Sequence, residues 1–245
     1  SYFSNDSVNA LTISDAYETH NMGIKIFSEK NFFNLDLGIV SPDMHIYKNE
    51  YRVANRSFGE LISVTVGRNQ TFHKQYNQAY YLRVISAGQF GIDGLQDLMH
   101  RILTLQPVNY VNDLVRMPNE IWYGVGGSFS SEFDSNYKYF NKYGANFYLG
   151  TDRSEASPFV TLDKKYSSFD FTAELGFRYV PFDNIVTAPP ISATHRIFIP
   201  YMEIGVDFDY LGVNWYLKDK FSLPTIAGDN KLFGVLSAGI TFDIQ

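Results

Sequence analysis

Along most of this chain, apolar and polar residues take turns. Phe169, Phe171, Ala173, Leu175, Phe177 and Tyr179 are interleaved with Asp170, Thr172, Glu174, Gly176 and Arg178. Successive side chains of a β-strand point to opposite faces, so a period of two sustained this long predicts a strand with one apolar and one polar face. The pattern returns in Tyr137, Tyr139, Tyr143, Ala145, Phe147 and Leu149, with Lys138, Lys142, Gly144 and Asn146 between them. It returns again in Met202, Ile204, Val206, Phe208 and Tyr210, and in Leu236, Ala238, Ile240, Phe242 and Ile244. Shorter strands are predicted at Met22–Ile26, Phe33–Ile39, Ile62–Val66, Tyr80–Val84, Ile121–Phe129 and Leu211–Leu217. With one strand in each of residues 1–12 and 154–165, the total is about twelve.

The clearest strands run nearly twice the roughly 5–6 residues usual in soluble proteins, a length that crosses a bilayer when tilted. Tyr137, Tyr139, Tyr179 and Tyr210 fall at predicted strand ends, where an aromatic girdle would meet the lipid–water boundary. The polar stripes carry Asp, Glu, Lys and Arg, which a barrel interior can pair. The expected fold is therefore all-β, a closed antiparallel transmembrane β-barrel of about twelve strands. In lipid, closure is compulsory, because no water satisfies an open sheet edge. A soluble β-sandwich gives the same alternation and is the competing fold; strand length favours the barrel. The chain ends Phe242-Asp243-Ile244-Gln245 rather than on an aromatic residue, a mild departure from many outer-membrane barrels.

One segment leaves the β pattern. Leu95, Leu98, Met99, Ile102 and Leu103 recur at helical spacing after Asp93, a fitting N-cap, and predict a short inserted helix at the rim over residues 93–105. A second helical turn is expected around Asn109–Leu114. Pro181–Pro190 and Pro224–Asn230 read as long turns. No linker interrupts the chain, so residues 1–245 are expected to form a single domain.

Composition narrows the function classes. The 245 residues include no Cys, which excludes a disulfide scaffold, a thiolate zinc site and a Cys nucleophile. A formal net charge of −6 is a poor match for nucleic acid, so no nucleic-acid partner is expected. No run of apolar residues is long enough for a membrane-crossing helix, and no signal peptide is apparent. The chain also lacks a Gly-x-Ser-x-Gly elbow, a phosphate loop, a His-Glu-x-x-His motif and EF-hand spacing.

Of the five His, His20, His45, His73 and His195 lie in surroundings that add no chemistry. His100 stands apart on the polar side of the predicted helix, with Gln96 and Asp97 one turn behind it. An amide or carboxylate at i−4 or i−3 can orient an imidazole and fix its tautomer, as a general base requires. The plain alternative is a solvated helix face. Near the N-terminus, Asn5-Asp6 reads either as a turn or as a source of oxygen ligands for a hard cation.

Taken in order, these polar landmarks resemble the outer-membrane lipid A 3′-O-deacylases. That family opens with an Asn-Asp pair, matched by Asn5-Asp6. A Tyr-Thr-x-Gly element on its second strand is matched loosely by the stretch from Tyr17 through Thr19 and Asn21 to Gly23. Its Ser/Thr-Pro and Asp-Arg-x-aromatic elements correspond to Ser41-Pro42 and Asn55-Arg56-Ser57-Phe58. Its Gln-x-x-x-His on a helix after the fifth strand corresponds to Gln96 and His100. The landmarks cover residues 5–103; the second half matches in strand pattern alone.

The resemblance implies a twelve-stranded barrel in the bacterial outer membrane, acting as a monomer on lipid A of lipopolysaccharide. It implies a calcium-dependent esterase that removes the 3′-linked acyl chains. His100 takes the position of the catalytic base, Asp6 and Asn5 those associated with Ca2+, and Gln96, Lys48 and Thr19 or Asn21 further site positions. A cation held by oxygen ligands can polarise an ester carbonyl, and a neutral imidazole can take a proton from water. Three departures stand out. The strand-two Thr falls on Thr19 or on Asn21, and the family Lys falls on Tyr47, or on Lys48 after a one-residue shift. Carboxylates of the family are replaced by Gln106 and Asn55. Two other classes compete: a non-enzymatic outer-membrane barrel (a pore or adhesin), and an outer-membrane phospholipase with a Ser nucleophile and a His.

Overall fold

A computed structural model describes residues 5–6, 20–28, 30–40, 44–46, 52–54, 59–72, 76–90, 117–133, 140–187, 194–211, 213–223 and 233–241. Among them are fourteen strands in chain order. They are β1 (Asn5–Asp6), β2 (His20–Phe27), β3 (Asn31–Val40), β4 (Met44–Ile46), β5 (Arg52–Ala54), β6 (Gly59–Phe72) and β7 (Tyr76–Gly88). There follow β8 (Glu120–Glu132), β9 (Lys142–Gly150), β10 (Arg153–Lys165), β11 (Asp170–Asp183), β12 (Phe198–Tyr210), β13 (Val213–Ser222) and β14 (Phe233–Thr241). One helical turn, α1 (Asn184–Thr187), follows β11.

Strands β2, β3 and β6–β14 form one continuous antiparallel sheet of eleven strands, ordered so that chain neighbours pair. Strands β4 and β5 make a separate hairpin on the connection between β3 and β6. The short β1 sits between the two ends of the large sheet. Asn5 and Asp6 pair with Asn21 and His20 of β2, and Asp6 also pairs with Leu236 of β14. A sandwich would require two packed sheets, and a single sheet curling on itself has none to pack against.

The two faces of this sheet differ as the alternation predicts. On the outer face, Leu82, Leu149, Leu175 and Phe177 are 58, 62, 43 and 45 % exposed. On the inner face, charges are paired. Arg178 donates to Glu155 at 2.8 Å, Lys142 to Asp163 at 2.5 Å, and the Tyr201 hydroxyl to Glu174 at 2.7 Å. Lys218 lies 3.7 Å from Glu203, which alternates on β12 with outward Met202 and Ile204. Asp207 shares the strand phase of Glu203. Thus Glu174, Arg178, Glu203 and Asp207 fall on the inner face, and Phe171, Leu175 and Phe177 on the outer. Phe169 lies just before β11, and nothing is described of the Ile240 side chain.

Connections at the two ends are unequal. One end has 28–30, 73–75, 133–141, 166–169 and 211–212; the other has 7–19, 41–58, 89–119, 184–197 and 223–232 as well as the tight 151–152. Short turns at one rim and long connections at the other are the asymmetry of outer-membrane barrels.

Below the long-connection rim, part of the interior is apolar. Ile85 and Ala87 of β7, Trp122 of β8, Met117 of the β7–β8 connection and Ile185 of α1 form one buried cluster, with Leu61 of β6 packed against it. Ile185 reaches this cluster from the β11–β12 connection, while Leu61 stands five strands away round the sheet. A cluster joining such distant strands crosses the lumen and plugs it. Beneath the plug, toward the short turns, lies a polar cavity of about 440 Å³ lined by Lys25, Asn34, Asp36, Tyr81, Arg83 and Asn146 among others.

Several expected boundaries move. Leu211 is a turn residue at φ 56°, so the last predicted short strand begins at Val213 and not at Leu211. Pro181 belongs to β11, which continues to Asp183 before α1, where a long turn was expected. Pairing of β11 with β12 stops at Tyr179, so the missing N–H of Pro181 costs no ladder bond there. Tyr179 is consequently inside its strand and not at its end. The isolated bridge at His195 precedes β12, and its Nε2 lies 3.1 Å from the Pro181 carbonyl oxygen. The predicted helix at 93–105, the turn at Asn109–Leu114, Tyr137 and Tyr139 lie outside the described residues.

Placing a charge on the outer face tests its environment. Leu175→Arg is expected to cost about 2–4 kcal/mol in a bilayer if the residue lies near mid-depth, read by urea unfolding from lipid vesicles. Wild-type stability in that variant would show that this face does not meet lipid.

Candidate functional site

Asn5, Asp6 and Asn21 meet where β1 joins β2. Asn5 stands directly opposite Asn21, and Asp6 directly opposite His20. Directly opposed residues of an antiparallel pair share one face of the sheet, and their neighbours in sequence take the other. Asn5 and Asn21 therefore belong to one row, and Asp6 and His20 to the next.

Following register round the sheet shows which row is which. The row of Asp6 runs through Ile204, Asp219, Leu236, Asp6, His20, Ile39 and Glu60 to Gly88. Ile204 at its start is on the outer face, in phase with exposed Met202 and Phe208. Asp6 and His20 are thus placed on the outer row, near the long-connection rim. The row of Asn5 and Asn21 continues through Gly38 and Leu61 to Ala87, which are on the inner face.

The outer row carries ionisable residues that the alternation alone did not single out. Asp219 is in phase with exposed Trp215 and Leu217, and its Oδ1 is buried without a hydrogen-bond partner. Two strand spacings of about 4.8 Å separate Asp219 from Asp6, roughly 10 Å. Glu60 is in phase with exposed Val64 and Val66, yet fully buried, and its carboxylate accepts a hydrogen bond from the Phe90 main-chain N–H. The available signal was a phase violation, an acid standing on an otherwise apolar stripe. His20 carries the same mark, being in phase with Met22, Ile24 and Ile26.

Topology also places the remaining landmarks by chain segment. Thr19 immediately precedes β2, and Lys48 belongs to the connection between β3 and β6. Ser41-Pro42 follows the end of β3 at Val40, and Arg56 precedes the start of β6 at Gly59. Gln96 and His100 belong to the connection between β7 and β8, which leaves and returns at the same rim as Asp6 and His20. Thr19, Lys48, Gln96, His100, Gln106 and Asn55 themselves lie outside the described residues, as do the side chains of Asn5, Asp6, His20 and Asn21.

Among the described residues, no group of three or more His, Asp and Glu could hold a metal. At the β1–β2 junction the carboxylate type of Asp6 stands on one row and the amide types of Asn5 and Asn21 on the other, oxygen donors in each case. Oxygen donors of this kind fit a hard cation such as calcium better than a soft one. A second cavity, of about 540 Å³, lies on the outer wall along Leu82, Val84, Tyr123, Val125 and Leu149. It lies on β7–β9, away from the junction.

No family model and no curated protein matches the chain. Its fold is similar to that of LpxR from Salmonella typhimurium, with a TM-score of 0.74 over 93 % of this chain and 90 % of that one, at 12 % sequence identity. It is also similar to the NanC porin, with a TM-score of 0.51, 10 % identity and coverage of 99 % and 98 %. At such identities the likeness is one of fold.

The register at the junction can be checked directly, because the chain has no Cys of its own. Asn5→Cys with Asn21→Cys should cross-link under mild oxidation, since opposed Cα atoms fall within disulfide range. Asp6→Cys with Asn21→Cys should not, since the two lie on opposite rows. Cross-linking of the second pair in place of the first, seen as a gel shift lost on reduction, would mean a register slipped by one residue.

Proposed function

We propose that this chain is a closed, twelve-stranded outer-membrane barrel that hydrolyses the 3′-linked acyl esters of lipid A. The observation that carries it is the meeting of Asn5, Asp6 and Asn21 at the long-connection rim, where the chain segment bearing His100 also begins and ends. These positions are distant in sequence and were singled out by their resemblance to the lipid A deacylases. Similarity of fold to LpxR, a lipid A 3′-O-deacylase, supports the same reading. An outer row carrying Asp6 suits a substrate whose acyl chains stay in the bilayer.

In this mechanism His100 takes the proton from the attacking water, with Gln96 one turn behind it holding the imidazole in one tautomer. Asp6 and Asn5 are the residues that would hold Ca2+. When bound, the ion supplies charge stabilisation for the ester oxygen as it becomes an oxyanion. Thr19 or Asn21 and Lys48 are the further positions for orienting the substrate. The competing pore is disfavoured by the apolar plug of Met117, Trp122 and Ile185, since a porin lumen is polar and filled with water. No Ser-His pairing among the described residues supports a phospholipase.

The test is release of 3′-acyl chains from lipid A, followed by mass spectrometry across a calcium titration. His100→Ala should lower the rate about 10²–10⁴-fold while leaving the barrel assembled. Asp6→Ala should raise the calcium required before it lowers the maximum rate, because it weakens a site rather than a proton transfer. Full activity in chelator or in the His100 variant would assign the chemistry to other residues. An inactive wild type would favour the non-enzymatic barrel.

A further inference from the structure

The connection that carries Gln96 and His100 is seated at both ends on the first two residues of β6. On the outer side, fully buried Glu60 accepts a hydrogen bond from the main-chain N–H of Phe90, where the connection leaves β7. Gly88, opposite Glu60 in register, makes room here: a Cβ on it would run into the Asn119 side chain and approach the Phe90 ring. On the inner side, Met117 returns against Gly59, where any Cβ would collide with its sulfur. Met117 is itself 3 % exposed and packed with Trp122 in the lumen plug. Two adjacent residues of one strand, facing opposite sides, therefore hold residues 90 and 117.

We propose that Gly59 and Glu60 form a two-jawed clamp on this connection and that Glu60 is a positioning residue for the hydrolysis. A chain whose ends are fixed has fewer conformations to lose when its middle is placed. Glu60 suits the task because a buried carboxylate that loses a hydrogen-bond donor is costly, so the contact resists opening. Its separation from Asp6, three strand spacings or roughly 14 Å, excludes direct participation at that residue. The role in catalysis rests on the deacylase reading; the clamp does not.

Two measurements on the full chain in lipid separate them. In the first, amide hydrogen exchange is followed at Phe90. Glu60→Ala should accelerate it about tenfold or more, the scale of a hydrogen bond to a charged acceptor, whereas Glu60→Gln keeps an acceptor and should stay within about threefold of wild type. In the second, kcat for lipid A deacylation should fall about tenfold in Glu60→Ala with little change in KM, and Glu60→Gln should restore it. Unchanged exchange in the Ala variant, or a Gln variant as loose as the Ala variant, overturns the clamp. Faster exchange with wild-type kcat overturns the positioning role. If wild type is inactive, the deacylase reading and the positioning role fail together, and exchange alone decides the clamp. Should Glu60→Ala not assemble, Gly59→Ala tests the other jaw. Displacing Met117 should shift the emission of Trp122, measured with Trp215→Phe to remove the second fluorophore, and unchanged emission counts against the clamp.

Discussion

A sheet with an apolar outer face on nearly every strand is stable only where that face has an apolar cover and no edge is left bare. The rest of this structure follows from that constraint. The outer stripes of Leu82, Leu149, Leu175 and Phe177 require an apolar surrounding, and the charges that alternate with them must then be satisfied inside. Pairs such as Arg178 with Glu155 and Lys142 with Asp163 do this within the lumen, bridging neighbouring strands. Strand β1 matters out of proportion to its length, because its two residues pair with both β2 and β14. The same two residues are the ones to which the sequence resemblance attaches a metal. The contacts with both ends of the sheet and the residues named by the resemblance thus fall in one short segment.

The interior bears on where chemistry can occur. An apolar plug beneath the long-connection rim separates that rim from the polar cavity around Lys25, Asp36 and Arg83. Residues on the outer row stand on the opposite face of the sheet from that cavity. Asp6, His20, Asp219 and Glu60 lie on this row, and Asp6 is the one that the resemblance had already named.

Much of this fold was legible in the sequence because a two-residue period needs no tertiary information. The alternation around Phe171–Tyr179 and Met202–Tyr210 marks β11 and β12, with the predicted faces on the correct sides. Boundaries were less legible. Pro181 reads as a turn until one knows that β11 has outrun its partner there, and Leu211 adopts a left-handed conformation that its side chain does not advertise. Of the candidate site, sequence order brought out Asn5, Asp6 and either Thr19 or Asn21, but not the opposition of Asn5 and Asn21, since register depends on how the first strands meet. His20 looked uninformative for the same reason: its neighbour Asp6 is fourteen positions earlier in the chain.

Glu60 and Asp219 show what a pattern can reveal when its exceptions are read as closely as its rule. Each is an acid in phase with exposed aliphatic or aromatic residues, Val64 and Val66 in one case and Trp215 and Leu217 in the other. On a lipid-facing stripe, an acid must be covered by protein, lie at the interfacial rim, or serve a ligand. Glu60 is covered, by the connection whose first turn of chain it holds. Asp219 lies three residues from the rim end of β13, and Leu236 alone stands between it and Asp6 in the row. The residues that break the alternation are thus the ones an apolar surrounding does not explain, and here they share the one row of the sheet that contains Asp6.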